Sequence, residues 1–425
     1  MSAATTLQPA RGFLPPPRKK PPDPVAWSRL AVRCFALAAA VIVAWTFASV
    51  SVAAVAVVAV SPFVALASVL ATRTVGWAAA MAVPALVMAF VRRRWFCRWL
   101  CPTGLLCDQA GRVGLAAKRR APPLPPLGHW FALMTLAGAV LGYPLLVWLD
   151  PLALLTSFLG ASWGDPLAAS TLLSAAGLVA VLALSVAAPG LWCMRICPLG
   201  ATQELLASVR RYLPAAKKTS LLGEDGSAAD KPRHAGWTLA RRVVLASGVG
   251  AAWAWAVGRG IAAARGVVRP PGAIDEIRFR GVCVRCGNCL RACPTKILHA
   301  DLGEAGLSGL MCPVARFDPG YCREDCSLCG DVCPSGAIAR LAPAGKRTAR
   351  MGLAKIDVEL CLLTDNRECS VCRNCCPYEA ITTVWSEEEY TLAVKIDPDR
   401  CPGCGACQVA CPTSPVKAIV VHPLR

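Results

Sequence analysis

The sequence predicts an all-α polytopic membrane domain followed by an α+β domain built from two similar units. Three observations carry that reading. Apolar residues crowd the first 265 positions of a 425-residue chain that is 55% hydrophobic and only 17% charged. The basic residues of that half fall on alternate connections between apolar runs, the order that membrane topology imposes. Sixteen cysteines in the last 145 residues form four quartets, each closing on Cys-Pro.

Taken in order, residues 1–27 are a basic, Pro-rich tail containing PPPRKKPPDP, a composition that does not build a core and is expected to be disordered. The apolar run after it is too long for a cleavable signal peptide. Residues 34–72 carry no charge, more than the roughly 20 residues one crossing needs. Spans are predicted near 33–58, 74–91, 128–148 and 168–189, within a four-helix membrane domain over 28–212. A cytoplasmic linker over 213–240 and an anchor helix over 241–264, with a span near 242–262, follow.

Arg18, Lys19, Lys20, Arg29 and Arg33 precede the first span. Arg92, Arg93, Arg94, Arg98, Lys118, Arg119 and Arg120 lie between the second and third. Arg195, Arg210, Arg211, Lys217, Lys218, Arg241 and Arg242 lie between the fourth and fifth, whereas connections 59–73 and 149–167 hold only Arg73. An odd number of crossings in this order puts the N-terminus inside the cell and the C-terminal domain outside. The approach to the fifth span, TLARRVVLASGVGAA, reads as a twin-arginine export signal. Such export suits a domain whose cofactors are assembled in the cytoplasm and which must cross the membrane folded.

The net charge of +19 does not mark a nucleic-acid binder. From Asp275 onward there are 18 basic and 18 acidic residues, so the excess belongs wholly to residues 1–274, where topology explains it better than phosphate binding does. Of the four histidines only His129 lies at a span, so a bis-His haem is excluded within the chain, and the absence of C-x-x-C-H excludes a c-type haem. No phosphate loop or dinucleotide fingerprint occurs.

The membrane half repeats itself. SPFVALASVLATR leads through a helix to FCRWLCPTGLLCD, and DPLALLTSFLGAS leads through a helix to WCMRICPLGATQE. Each copy is expected to run from an outer Ser-Pro or Asp-Pro turn to a C-x3-C-P pair at the inner surface. The pairs are Cys97/Cys101 and Cys193/Cys197, with Cys107 as an extra thiol. Cysteine serves commonly as a small buried hydrophobe, which suffices for Cys34 but not for two such pairs at equivalent positions. Joint ligation of one metal centre, dithiol redox and contact with a partner are the three uses open to them. Asp150 and Asp165 are candidates for a quinol site, against the more ordinary role of helix capping.

The quartets are specific. Cys283, Cys286, Cys289, Cys293 and Cys401, Cys404, Cys407, Cys411 obey C-x2-C-x2-C-x3-C-P, the ligand run of [4Fe–4S] ferredoxins, in which the fourth cysteine serves the other cluster of a pair. Cys322, Cys326, Cys329, Cys333 and Cys361, Cys369, Cys372, Cys376 share the x2, x3, Pro ending after a longer first gap. Gly287, Gly403 and Gly405 supply the unusual φ of the tight loops, and Pro294, Pro334, Pro377 and Pro412 fix the turn after each fourth cysteine. AKIDVELC and AVKIDPDRC put short strands before the third and fourth quartets. Zinc sites lack the x3-Cys-Pro ending, and a disulfide framework would not repeat it. Residues 265–425 are therefore expected to be a polyferredoxin of two ferredoxin-like two-cluster units, holding four [4Fe–4S] clusters.

At these residues the chain resembles the NapH/NapG pair of ferredoxin-type proteins accessory to periplasmic nitrate reductase, and the related MauN/MauM pair. The C-x3-C-P half resembles the NapH type. The region from Arg241 resembles the NapG type, through RPPGAIDEIRF, CPSGAI, MGLA and the x7 gap from Cys361 to Cys369. The chain departs from the pattern in two ways. Residues 198–282 lack the two cytoplasmic ferredoxin motifs of the NapH type. The second quartet is spaced x3, x2, x3 where x2, x4, x3 is usual, which offers Cys312 as a substitute for Cys322. Cys375 reads as a bystander.

The resemblance implies a carrier in the bacterial cytoplasmic membrane, with its cluster domain on the periplasmic side. It would take electrons from the quinol pool, or a quinol-oxidising partner, to a periplasmic oxidoreductase or cytochrome, nitrate reductase being the family's acceptor. Related four-cluster subunits imply nested pairing, Cys283, Cys286 and Cys289 with Cys411, and Cys322, Cys326 and Cys329 with Cys376; sequential pairing of neighbouring motifs is the alternative. A different class of function, an assembly or maturation factor that reduces or metallates a partner through the C-x3-C-P thiols, fits the same residues.

Overall fold

The computed structural model describes residues 24–46, 53–113, 125–161, 168–210, 235–262, 266–318, 320–363, 367–386 and 391–424. Most of the basic tail, Lys118–Arg120, Asp165 and most of the linker lie outside them. Through residue 262 the described chain is helical, with α1 (Pro24–Thr46), α2 (Ala53–Ala59), α3 (Pro62–Thr72), α4 (Trp77–Ala80), α5 (Val83–Val91) and α6 (Trp95–Trp99). There follow α7 (Pro102–Val113), α8 (Leu127–Val140), α9 (Pro151–Ala161), α10 (Ala169–Ala187), α11 (Pro198–Val209) and α12 (Ala235–Ala262). Five of these begin on proline, whose fixed φ and missing N–H suit the first helical position.

Two of those prolines follow the Ser-Pro and Asp-Pro turns, which the structure buries together inside the protein. Ser61 and Asp150 are fully buried, and Ser61 Oγ donates to Asp150 Oδ2 at 2.6 Å. The supposed connections 59–73 and 149–167 contain α3 and α9, which fold back from this shared turn. Each starts at a proline and continues with apolar residues that have no reason to face water. Asp150 caps α9, its Oδ1 accepting from Leu152 N at 2.9 Å and Ala153 N at 3.3 Å.

Predicted span 168–189 is the continuous α10 and 242–262 lies within α12, whereas two others are more broken than the hydropathy implies: span 74–91 holds α4 and α5, and α8 stops at Val140, ahead of Gly142 at φ 88°. Among the described residues only α10 is long and apolar enough to cross a membrane. The other apolar helical stretches, 62–72, 77–91, 127–140, 151–161 and 243–257, are shorter. Helix α12 packs on α8 at Gly250, where a Cβ would stand 2.6 Å from Met134 O.

The C-terminal part is two units of short elements. The first contains α13 (Glu276–Val282), α14 (Asn288–Ala292), β1 (Leu298–Ala300), β2 (Pro313–Ala315), α15 (Leu328–Asp331) and α16 (Pro343–Thr348). The second contains β3 (Gly352–Ile356), α17 (Val371–Asn374), β4 (Ile381–Ser386), β5 (Thr391–Ile396), α18 (Ala406–Ala410) and β6 (Ile419–Pro423). Each sheet is an antiparallel pair, β1–β2, β3–β6 and β4–β5, with Leu298 opposite Ala315 and Ile356 opposite Ile419. The predicted strands before the third and fourth quartets are β3 and β5. Pairs this small are marginal alone; Phe279, Phe317, Ile297 and Ile419 unite them with the buried cysteines in one core.

The first unit rests on the helical half. Val284 and Cys286 pack among Val58, Val64, Ala67, Val147 and Ala153, and Ala292 and Val332 pack against Val55, Ala59 and Ala78. The Arg285 guanidinium lies over the Trp148 ring at 5.3 Å. A clamp behind α13 stiffens this contact. Arg269 Nη2 donates to Glu276 Oε1 at 2.7 Å, Arg280 Nε donates to the same oxygen, and Arg280 Nη1 reaches Ala305 O.

Candidate metal centres

The four quartets close into four nests, but not by quartet. Cys283, Cys286 and Cys289 line one pocket with Cys333, and Cys322, Cys326 and Cys329 line the next with Cys293. In the second unit Cys361, Cys369 and Cys372 share a pocket with Cys411. Cys401, Cys404 and Cys407 gather with Cys376. Each fourth cysteine therefore crosses to its neighbour in sequence. This corrects the nested pairing: a fourth cysteine stands only a short helix away from its own loop, and the antiparallel pairs fold each unit on itself before the two units meet.

The loops behave as the glycines predict. Gly287, Gly403 and Gly405 have φ of 74°, 75° and 83°. A Cβ at Gly405 would also strike the Phe317 ring at 2.2 Å, so that glycine serves the contact between units as well. Among the described residues no three His, Cys, Asp or Glu side chains close on a point as the ligands of one ion do. They surround spaces instead, as a cube with iron at four corners requires. Burial pushes the Cys286 thiol up to about 11 and the Cys329 and Cys404 thiols up to about 12, so the thiols surrender protons when they take iron.

Cys322 belongs to the second nest, where the buried Lys346 donates from Nζ to its Sγ at 3.0 Å. Cys312 is not its substitute. It is fully buried and hydrogen-bonds the Cys283 thiol of the first nest. Cys375 Sγ donates to Cys372 O at 3.4 Å, between the third and fourth nests. The nests succeed one another. Cys289 of the first neighbours Cys329 of the second, and Cys322 N of the second donates to Cys404 O of the fourth at 2.8 Å. The fourth adjoins the third through Cys375 and Cys376. The third nest lies at the far end, beside Val358, Leu360, Val371 and Val416, all exposed.

The helical half forms a fifth gathering of thiols. Cys97, Cys101, Cys193 and Cys197 line one cavity of ≈ 670 Å³ together with Arg29, Arg33, Arg94, Arg98 and Arg112. Cys101 and Cys197 stand just before Pro102 of α7 and Pro198 of α11, so two helix N-termini point at the cavity, where they favour negative charge. Gly104 N donates to Cys101 Sγ at 3.3 Å.

The two halves of the duplication cross-brace. Six residues after Cys197, Gln203 donates from Nε2 to Cys97 Sγ at 3.0 Å and accepts from Phe96 N. Six residues after Cys101, Cys107 hydrogen-bonds Cys193. The next residue in each copy holds an arginine, Asp108 with Arg33 and Glu204 with Arg94, both at 2.7 Å. Sequence reasoning passed over Gln203, Thr103 and Lys346. Aligning the two copies would have raised Gln203, since it occupies the position of Cys107; nothing in the sequence marks Lys346.

Four cysteine nests in contact define a polyferredoxin, an iron–sulfur electron-transfer protein with [4Fe–4S] clusters. A family model of a 4Fe-4S dicluster domain matches residues 282–337 and 367–414, and one of a 4Fe-4S binding domain matches 74–121 and 170–214. The chain is 40% identical over 193 residues to ferredoxin-type protein NapG of Escherichia coli strain K12, spanning 43% of this chain and 83% of that protein. It is 37% identical over 161 residues to the methylamine utilization ferredoxin-type protein MauM of Methylophilus methylotrophus, 35% of this chain and 68% of that one. Ferredoxin-type protein NapF of Escherichia coli strain K12 is 30% identical over 159 residues, 36% of this chain and 86% of that protein. No solved structure matches. The chain belongs to the NapG/MauM family of ferredoxin-type proteins.

Proposed function

We propose that the protein is a membrane-anchored carrier that passes electrons from the quinol pool, or a quinol-oxidising partner, through four [4Fe–4S] clusters to a periplasmic oxidoreductase of the kind the Nap and Mau relatives serve. The observation that carries this reading is the succession of nests, with the first against the helical half and the third at the exposed end. Clusters in the nests would supply one-electron redox chemistry. The chain's own residues space them, exclude water through the core around Phe279 and Phe317, and tune charge through Lys346.

Residues 28–212 and 241–264 are the polytopic membrane domain in this reading, of the NapH type. Its support is the separation of the two ends. Arg29, Arg33, Arg94, Arg98 and Arg112 line the C-x3-C-P cavity, whereas the polyferredoxin packs where the connections are poor in charge, the arrangement expected of a periplasmic module. The four thiols, two helix N-termini and five arginines of the cavity fit a fifth anionic iron–sulfur centre.

Anaerobic purification, iron and labile-sulfide analysis and EPR test the reading. About 16 iron atoms per chain are expected from the four nests, and about 20 if the cavity is also loaded. The reduced protein should then be reoxidised stoichiometrically by its purified periplasmic partner. A protein without iron, or one dispensable once that partner is metallated, sinks the carrier reading and leaves a maturation role.

A further inference from the structure

The shared Ser61–Asp150 turn lies between two sites that the sequence places far apart. On one side, Thr103, two residues after Cys101, donates from Oγ1 to Pro151 O at 2.9 Å, and Pro151 lines the thiol cavity. On the other, Val64 and Ala153 share one buried cluster with Val284 and Cys286 of the first nest's loop. Val64 and Ala153 are each three residues past the turn, a rise of about 4.5 Å along a helix. Between the thiol cavity and the first nest there is thus little more than one helical turn of α3 and α9. Helices of 11 residues reach about 16 Å, half the roughly 30 Å hydrocarbon thickness, so neither α3 nor α9 is long enough to separate the two sites by a full membrane width.

We infer that the thiol cavity and the first nest are the two ends of one electron path through the helical half, bridged by Thr103, Pro151, Asp150 and Ser61. The chain would then carry electrons across the membrane, and not only along its outer face. This rests on the carrier reading and on a loaded cavity. The donor it admits is a reduced one-electron carrier docking at the arginine-lined mouth. Each step moves one electron, oxidising one centre as the next is reduced, with no bond made or broken and no proton transferred. Gln203 and Cys107 are positioning residues, holding Cys97 and Cys193 from opposite copies.

The test uses the full chain reconstituted in liposomes that enclose ferricyanide, with dithionite, which does not cross the bilayer, added outside. Wild-type protein with about 20 iron atoms should reduce the trapped ferricyanide. A Cys97→Ser/Cys197→Ser variant should lose about 4 iron atoms per chain and the EPR signal they give, keep a reducible polyferredoxin, and fall to the rate of empty liposomes. Gln203→Ala, which spares the ligands, should change the EPR line shape of the cavity centre alone. Three results overturn the inference: trapped ferricyanide reduced equally by the double variant, no transfer by wild-type protein carrying about 20 iron atoms, or about 16 iron atoms in both proteins. A polyferredoxin that dithionite cannot reduce at all would instead overturn the carrier reading.

Discussion

Ser61 Oγ and Asp150 Oδ2, 2.6 Å apart and 89 positions apart in sequence, join the two copies of the duplicated helical half at its centre. Neither side chain has access to solvent, so each depends on the other. Ser61→Ala should cost about 1–3 kcal/mol, the penalty for a buried acceptor left short of a partner. Asp150→Ala should cost more, because Leu152 N and Ala153 N lose their cap too. Thermal unfolding of the two variants in detergent should rank them in that order.

The pairing of the nests predicts which EPR signal each fourth cysteine disturbs. Cys333→Ser should alter the first centre and Cys293→Ser the second, with Cys411→Ser acting on the third and Cys376→Ser on the fourth. An effect of Cys411→Ser on the first centre would restore the nested arrangement.

Lys346 puts a positive charge beside Cys322 Sγ. Its removal in Lys346→Gln should lower the potential of the second centre by roughly 70–150 mV, the Coulomb energy of one charge at about 5 Å and an effective dielectric of about 20–40. Redox titration followed by EPR reads the shift, and the other three potentials should stay in place.

The clamp of α13 predicts a pH dependence. Burial alone would raise the Glu276 carboxyl, but hydrogen bonds and charge from Arg269 and Arg280 outweigh it and hold the group below the usual carboxylate range. A depressed carboxylate stabilises the fold above its unfolded value of about 4.3 and ceases to do so as the pH falls through the folded value. Glu276→Gln should therefore destabilise the protein by about 3 kcal/mol at neutral pH, since Arg269 and Arg280 stay buried without their counter-charge. The difference should shrink below about pH 4. The guanidinium midpoint for anaerobic loss of visible absorbance, measured across pH, checks both statements.

Cys312 makes a negative prediction. It hydrogen-bonds Cys283 but is not one of the four cysteines lining that nest, so Cys312→Ala should leave the iron content unchanged while Cys283→Ala lowers it by up to about 4 atoms.

Ligand chemistry was legible in the sequence because it is local. Spacings of two and three residues, Cys-Pro endings and loop glycines set φ and reach within a dozen positions, and the polyferredoxin, its strands β3 and β5 and all sixteen cysteines follow from them. The helical content and the equivalence of the two C-x3-C-P pairs came from hydropathy and repetition. What only the tertiary structure decided is which distant residues meet. That a fourth cysteine crosses to another nest was legible in the run itself; that Cys293 and Cys333 cross to each other follows from how the antiparallel pairs fold each unit, and no spacing encodes that choice of partner. Ser61 and Asp150 look like surface turn residues in a linear reading, since capping residues sit at turns wherever those turns lie. Packing buried both turns together, and their caps satisfy one another there, Ser61 donating to Asp150.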